Sequence, residues 1–136
     1  MELKKLKLEN RNSLEAGDVL IRNKSAFGLI DHYGLYIGNG KVIDNHPDRG
    51  VTMLALESFL NGRELNRVDR FAGDYWSRRQ VVQKGISMIG MEYHLTDFNC
   101  EHFVNVARGS AKKSQQVTAM GIFLLFFVII FGLNRA

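Results

Sequence analysis

The chain carries a single cysteine, Cys100, in the stretch Asp97-Phe98-Asn99-Cys100-Glu101-His102-Phe103-Val104-Asn105. Cap-forming residues precede it and an apolar-periodic run follows. That pattern predicts a helix with Cys100 in its first turn and Asp97 or Asn99 as the N-cap. A thiol there faces unpaired backbone N–H groups and the positive end of the helix dipole, and both favour the nucleophilic thiolate. The competing reading is a small buried hydrophobe, the commoner fate of a free cysteine. A nucleophile also needs a base, and the base a partner that holds its ring. His32 opens an expected strand. Asp44 lies on the next strand, across the Gly38-Asn39-Gly40 turn, where its carboxylate would accept the His32 Nδ1–H and fix the useful tautomer. His46, on the same side of that strand, competes for this role. Taken alone, His32 reads as an ordinary strand histidine; beside Cys100 it is half of a nucleophile–base pair. His102 points away from the thiol and reads as a structural hydrogen-bonder, and His94 as a surface residue. The spacing of His32, His46, His94 and Cys100 is not that of a zinc site, so neither a metal nor another cofactor is expected.

These residues need a frame. Ala16-Gly17-Asp18 leads into a first strand at Val19 to Arg22, and Asn23 to Leu29 reads as a mobile loop. His32 to Ile37 and Lys41 to Asp44 make a hairpin, and Pro47-Asp48-Arg49-Gly50 turns into a short strand at Val51 to Leu54. Leu56 to Leu60 is a short helix closed by Asn61-Gly62. Leu65 to Arg70 alternates as a half-buried strand should. Asp74 or Ser77 starts a helix with a stripe of Val82, Ile86 and Ile89, ending near Gly90. Met91 to Phe98 is the loop that delivers Cys100. Strands first and helices after predict an α+β domain, a small antiparallel sheet packed with helices.

A chain of 136 residues makes one compact domain, and 46% apolar with 24% charged residues is the composition of a folded protein. A net charge of +4 suits contact with anionic lipid headgroups. No dense basic cluster with interleaved aromatics is present, so nucleic acid is not an expected partner. One cysteine forms no internal disulfide. The charged N-terminus has no apolar core and does not read as a secretory signal. The other end differs: Val117 to Leu133 is uncharged and apolar all round, which predicts a C-terminal hydrophobic helix at the short edge of a bilayer span. Arg108, Lys112 and Lys113 precede it and only Arg135 follows, so the positive-inside rule leaves the domain in the cytoplasm. The expected division is an extension over 1–13, the domain over 14–110, a polar linker over 111–118 and a single-pass tail anchor over 119–134. Tyr75 and Trp76 open a helix and read as packing or interfacial aromatics.

Two boxes carry a family resemblance: His32-Tyr33-Gly34-Leu35-Tyr36-Ile37-Gly38-Asn39-Gly40-Lys41-Val42-Ile43, and Asn99-Cys100-Glu101-His102-Phe103-Val104. With the lead-in Ala16-Gly17-Asp18-Val19-Leu20, the chain over about 14–110 resembles the lecithin:retinol acyltransferase family, a permuted papain-like branch of the NlpC superfamily. The resemblance implies a permuted papain-like fold with Cys100 as nucleophile and His32 as base. The vertebrate enzymes of the family place a second histidine where this chain has Asp44, so Asp44, with His46 as the competing choice, is the third residue. Backbone N–H groups of Asn99, Cys100 and Glu101 would serve as oxyanion donors. The implied activity is acyl transfer from a glycerophospholipid ester through a thioester, as phospholipase A with water and as acyltransferase with an amine or alcohol acceptor. A papain-like amidase or peptidase, and a non-catalytic membrane adaptor that binds lipid or protein, are the alternative readings. Reaction of Cys100 with an electrophile at neutral pH would separate an activated thiolate from an ordinary thiol. The oligomeric state is not legible.

Overall fold

The computed structural model describes residues 12–24, 30–109 and 115–133, with the last helix's side chains described from Met120 to Ile130. Most of the expected N-terminal extension, much of the loop after the first strand and the start of the linker lie outside these residues. The described elements run β1 (Val19–Asn23), β2 (Asp31–Gly38), β3 (Lys41–His46), β4 (Gly50–Ala55), α1 (Leu56–Leu60), β5 (Leu65–Asp69), α2 (Tyr75–Ser87), α3 (Cys100–Ala107) and α4 (Gln115–Leu133). The fold is α+β. Its sheet has the order β4-β3-β2-β1-β5 with every neighbour antiparallel.

Local chemistry explains the hairpins. Gly38 and Gly40 take positive φ of 95° and 68°, with Asn39 between them at 51°. The chain therefore reverses within two residues, in the left-handed region those types tolerate. The register that follows pairs Leu35 with Ile43 and Gly34 with Asp44. At the next turn Gly50 has φ of 68°, and a Cβ there would stand 2.3 Å from the Met91 carbonyl oxygen. Only glycine admits that approach, which brings the loop ahead of Cys100 against β4.

The sheet is buried on both faces. On one, Leu35, Ile43 and Val51 meet Val81 and Met88 of the α2 region and Phe103 and Val104 of α3. On the other, Phe59 and Leu60 of α1 cover Leu20 and Val42. Helix α2 turns Val81, Gly85 and Met88 inward, whereas Ile86 and Ile89 are exposed. This corrects the expected stripe of Val82, Ile86 and Ile89. The reason is Gly85: a Cβ there would stand 2.6 Å from Leu35 Cδ2, so the helix lies closest to the sheet along its glycine face. At the far end of β1, the buried Asp18 carboxylate accepts from the Glu15 and Phe71 N–H groups and from Arg70 and Arg78, tying β1, β5 and α2 together.

Helix α4 begins at Gln115, within the stretch expected as linker. Among the described residues, no helix is long and apolar enough to cross a membrane. The apolar side chains described in α4, from Met120 to Ile130, are exposed. At 1.5 Å per residue they extend about 16 Å, roughly half of a bilayer's hydrocarbon core. Tyr75 and Trp76, also exposed, pack edge to face on each other at 5.3 Å.

Candidate active site

Cys100 is the first residue of α3, and Asn99, not Asp97, is the N-cap. The Asn99 Oδ1 accepts the N–H groups of Glu101 and His102, each at 3.0 Å. The His102 Nδ1 accepts the Asn99 N–H at 3.2 Å, closing a capping box in which His102 is the structural hydrogen-bonder expected of it. Of the three N–H groups expected as oxyanion donors, those of Asn99 and Glu101 are engaged in the cap. The loop before the helix is held at both ends. The Asn45 Nδ2 donates to the Phe98 carbonyl at 2.7 Å, and the Val51 N–H donates to the Met91 carbonyl at 2.9 Å.

The thiol is buried, at 6% exposure. Burial pushes its pKa up, while the N–H groups of Tyr33 and Glu101 and the charge of Lys24 pull the other way and are outweighed. The helix end pulls towards the thiolate, as expected of it, and burial outweighs that pull. The dipole of one helix end, weakened by a cap that already uses two N–H groups, does not offset the loss of water around the sulfur. The hydrogen bond to the Tyr33 N–H sets the sulfur against β2 one residue from His32.

His32 is 1% exposed and Asp44 is fully buried. Because Gly34 pairs with Asp44, His32 stands diagonal to Asp44 on the same face of the hairpin. Their contact is 2.8 Å, from His32 Nε2 to Asp44 Oδ2. The expected bond ran through Nδ1; the structure uses the other ring nitrogen. His32 Nδ1 is buried with no hydrogen-bond partner among the described residues. The ring stacks on Phe59 at 5.4 Å and 26°, and Gly34 makes the space, since a Cβ there would stand 2.6 Å from Phe59 Cε2. Burial holds the imidazole below the ordinary histidine range, against the opposing pull of the Asp44 carboxylate. At neutral pH the ring is neutral, donates from Nε2 to Asp44 and keeps a lone pair on Nδ1.

His46 shares the face, with its ring 5.9 Å from that of His32 and edge-on to it. Its Nδ1 accepts the Asp48 N–H at 3.2 Å. The structure thus puts Asp44, and not His46, in hydrogen-bond contact with His32. His94 is exposed and bridges Phe98 through the backbone. Among the described residues no cluster of His, Cys, Asp and Glu could hold a metal ion.

Sequence reasoning missed two residues. Asn45, just past the expected strand of Lys41 to Asp44, anchors the loop that leads to Cys100. Arg49 was read only as turn, yet its Nη2 donates to both Asp44 oxygens, at 3.1 and 2.8 Å, while its Nε donates to Thr52 Oγ1 at 2.9 Å. A basic residue in the turn beyond a buried acidic strand position was the only signal for it. Arg22, opposite His32 in the β1–β2 register, is buried over the Phe59 ring and donates to the Phe59 carbonyl.

The chain is similar to known proteins over most of its length. Human phospholipase A and acyltransferase 2 is 28% identical over 116 residues, covering 69% of this chain and 71% of that protein. Human phospholipase A and acyltransferase 3 is 27% identical over 108 residues, covering 63% of this chain and 67% of that protein. The mouse form of the latter is 26% identical over the same length. The family model for lecithin retinol acyltransferase matches residues 12–113, a span that takes in the sheet, the His32–Asp44 hairpin and the Cys100 helix, and the chain is a member of that family.

Proposed function

We propose that the protein is a thiol-dependent acyltransferase and phospholipase A acting on glycerophospholipid esters. The observation that carries this reading is the orphaned, buried Nδ1 of a neutral His32 whose other nitrogen is held by Asp44, one residue from the N–H that meets the Cys100 sulfur. Thiol and imidazole are both neutral at rest, so His32 acts as a general base and not as half of a standing ion pair. Nδ1 takes the thiol proton as the sulfur attacks the ester carbonyl carbon, and the carbonyl oxygen becomes an oxyanion beside the Cys100 N–H. Collapse breaks the ester C–O bond, and the lysophospholipid alkoxide leaves with the proton from His32. The acyl group remains on sulfur as a thioester. Water, an amine or an alcohol then gives its proton to Nδ1 and attacks the thioester carbonyl, and the departing thiolate recovers that proton. Water gives fatty acid; an amine or alcohol gives the transferred acyl product.

The C-terminal helix is the proposed membrane anchor. Its exposed, uncharged side chains from Met120 to Ile130, together with the apolar sequence that flanks them, support insertion, which would hold the site where its substrate is concentrated.

The test is intact-protein mass spectrometry of the full chain in micelles with phosphatidylcholine, with free fatty acid assayed in parallel. The expected result is an acyl adduct that is lost in Cys100→Ala and in His32→Ala. No adduct and no fatty acid from folded protein would sink the reading and leave a peptide-directed enzyme or a binding module.

A further inference from the structure

The Asp44 carboxylate is bonded to two side chains of different charge. Oδ2 accepts from both His32 Nε2 and Arg49 Nη2 at 2.8 Å, and Oδ1 accepts from the same Nη2 at 3.1 Å. The Asp44 side chain is 1% exposed, whereas that of Arg49 is 39% exposed and reaches in from solvent. Its other contacts hold it there: Nε on Thr52 Oγ1, and the backbone N–H on the His46 carbonyl at 3.2 Å. A buried carboxylate requires a balancing charge. A histidine that is to accept a proton does not supply it, because a base has to be neutral. With His32 as its only partner, Asp44 would draw a proton onto the imidazole more strongly, and Nδ1, once it carried a hydrogen, would accept nothing.

We infer that Arg49 is a positioning residue for the active site: by balancing and orienting the Asp44 carboxylate, it lets a buried acid hold His32 in the neutral Nε2–H tautomer with Nδ1 left as the acceptor. The inference rests on His32 being the proposed base, but its test does not require turnover. The charged and titratable groups that bear on His32 are Asp44 and His46 on β3, Arg22 on β1 and Lys24 beyond it, with Arg49 behind Asp44 and the Cys100 sulfur on the N–H of the neighbouring Tyr33. Arg22 and Lys24 also disfavour the imidazolium, after burial, and they are the same in every variant compared. Arg49 differs from both in bonding directly to the carboxylate that holds the ring.

The experiment is an NMR titration of the full chain in micelles with ¹⁵N-labelled histidine, comparing wild type, Arg49→Gln, Arg49→Lys, Asp44→Asn and the Arg49→Gln/Asp44→Asn pair. In wild type the His32 nitrogens should report the neutral Nε2–H tautomer at pH 7. Arg49→Gln should move the His32 titration to higher pH, giving imidazolium at pH 7. Arg49→Lys, which keeps the charge, should titrate like wild type. In the Asp44→Asn background Arg49→Gln should add no shift, since its target is gone. Should Arg49→Gln fail to fold, the pair with Asp44→Asn should restore folding by removing the unbalanced carboxylate. In the acyl-adduct assay, Arg49→Gln should lose at least about tenfold in rate at pH 7 and recover most of it near pH 9, a pattern a packing defect does not produce. An unmoved His32 titration, an equal shift in both Asp44 backgrounds, or a pair that stays unfolded when Arg49→Gln alone does would overturn the inference. A wild type that forms no adduct would remove the proposed function and leave the His32 titration to decide the role of Arg49.

Discussion

Asp44→Asn removes a charge from the site while keeping its main hydrogen bonds. Because Oδ2 faces both His32 Nε2 and Arg49 Nη2 at 2.8 Å, the amide oxygen takes that place; the amide nitrogen there would meet the Arg49 donor. The Nε2–H tautomer is kept and Nδ1 stays an acceptor. What is lost is the negative charge that stabilises the imidazolium formed when Nδ1 takes the thiol proton. A bond to a charged group is worth roughly 1.5–3 kcal/mol against about 1 kcal/mol for a neutral one, and a difference of about 1.4 kcal/mol slows the step about tenfold. Stability should fall by about 2 kcal/mol: the Arg49 bond to Oδ1 is lost, and the charge of a side chain 39% exposed loses a partner whose effect solvent already screens. That loss leaves a typical domain folded at 25 °C. Single-turnover acyl-adduct formation followed by mass spectrometry reads the rate, and urea unfolding of the same preparation reads the stability. A variant with the wild-type rate would refute the reasoning, because the charge that stabilises the imidazolium would then count for nothing.

Three further outcomes follow from the same structure. Asp18→Asn, at a fully buried carboxylate bonded by Arg70 and Arg78, should destabilise the fold by about 3 kcal/mol in urea unfolding, because it takes a buried counter-charge from both guanidinium groups and leaves Arg78 with Glu15 at 3.5 Å. Burial alone would raise the Asp18 carboxyl, but the N–H groups of Glu15 and Phe71 and the two arginines hold it below the usual carboxylate range. Its stabilisation is therefore present above the unfolded-state value near 3.8 and is lost as pH falls through the lower folded value, and an Asp18→Asn variant should show a flatter acid limb than wild type. Alkylation of Cys100 by iodoacetamide should be slower at pH 7 than that of a free cysteine peptide and should rise with pH beyond the peptide's own midpoint, since burial pushes the thiol up; a rate plateau below pH 7 would mean a standing thiolate instead. Deleting Gly121 to Ala136 should lower activity on vesicles far more than activity on short-chain esters in solution, and equal losses on both would remove the proposed role of the helix.

Much of the frame was legible because it is written in short-range patterns. The Gly38-Asn39-Gly40 turn, the alternation in β5 and the polar residues ahead of Cys100 each act over a few residues, and each predicts an element that the structure contains. So does the pairing of the strand that bears His32 with the strand that bears Asp44, because a tight turn leaves the register little freedom. Helix α2 was legible as a helix but not in its facing. Val82, Ile86 and Ile89 are the more apolar stripe, yet close approach through Gly85 against Leu35 turns Val81 and Met88 inward instead.

The residue types of the candidate site were thus legible in the sequence, and their contacts and burial only in the tertiary structure. Cys100, His32 and Asp44 could be named from spacing and from the family's two boxes. That Nε2 meets Asp44 while the ring stacks on Phe59 is seen only in the tertiary structure, since Phe59 comes from α1, beyond two further strands. That burial outweighs the local helix end at Cys100 depends on how fully the held loop, β2 and α3 exclude water from it, a sum over the whole domain. The charge balance of Asp44 depends on Arg49 folding back across a turn. Local pattern dictates which backbone forms, because its hydrogen bonds close within a few residues; desolvation and the choice between two ring nitrogens are decided only where distant segments meet.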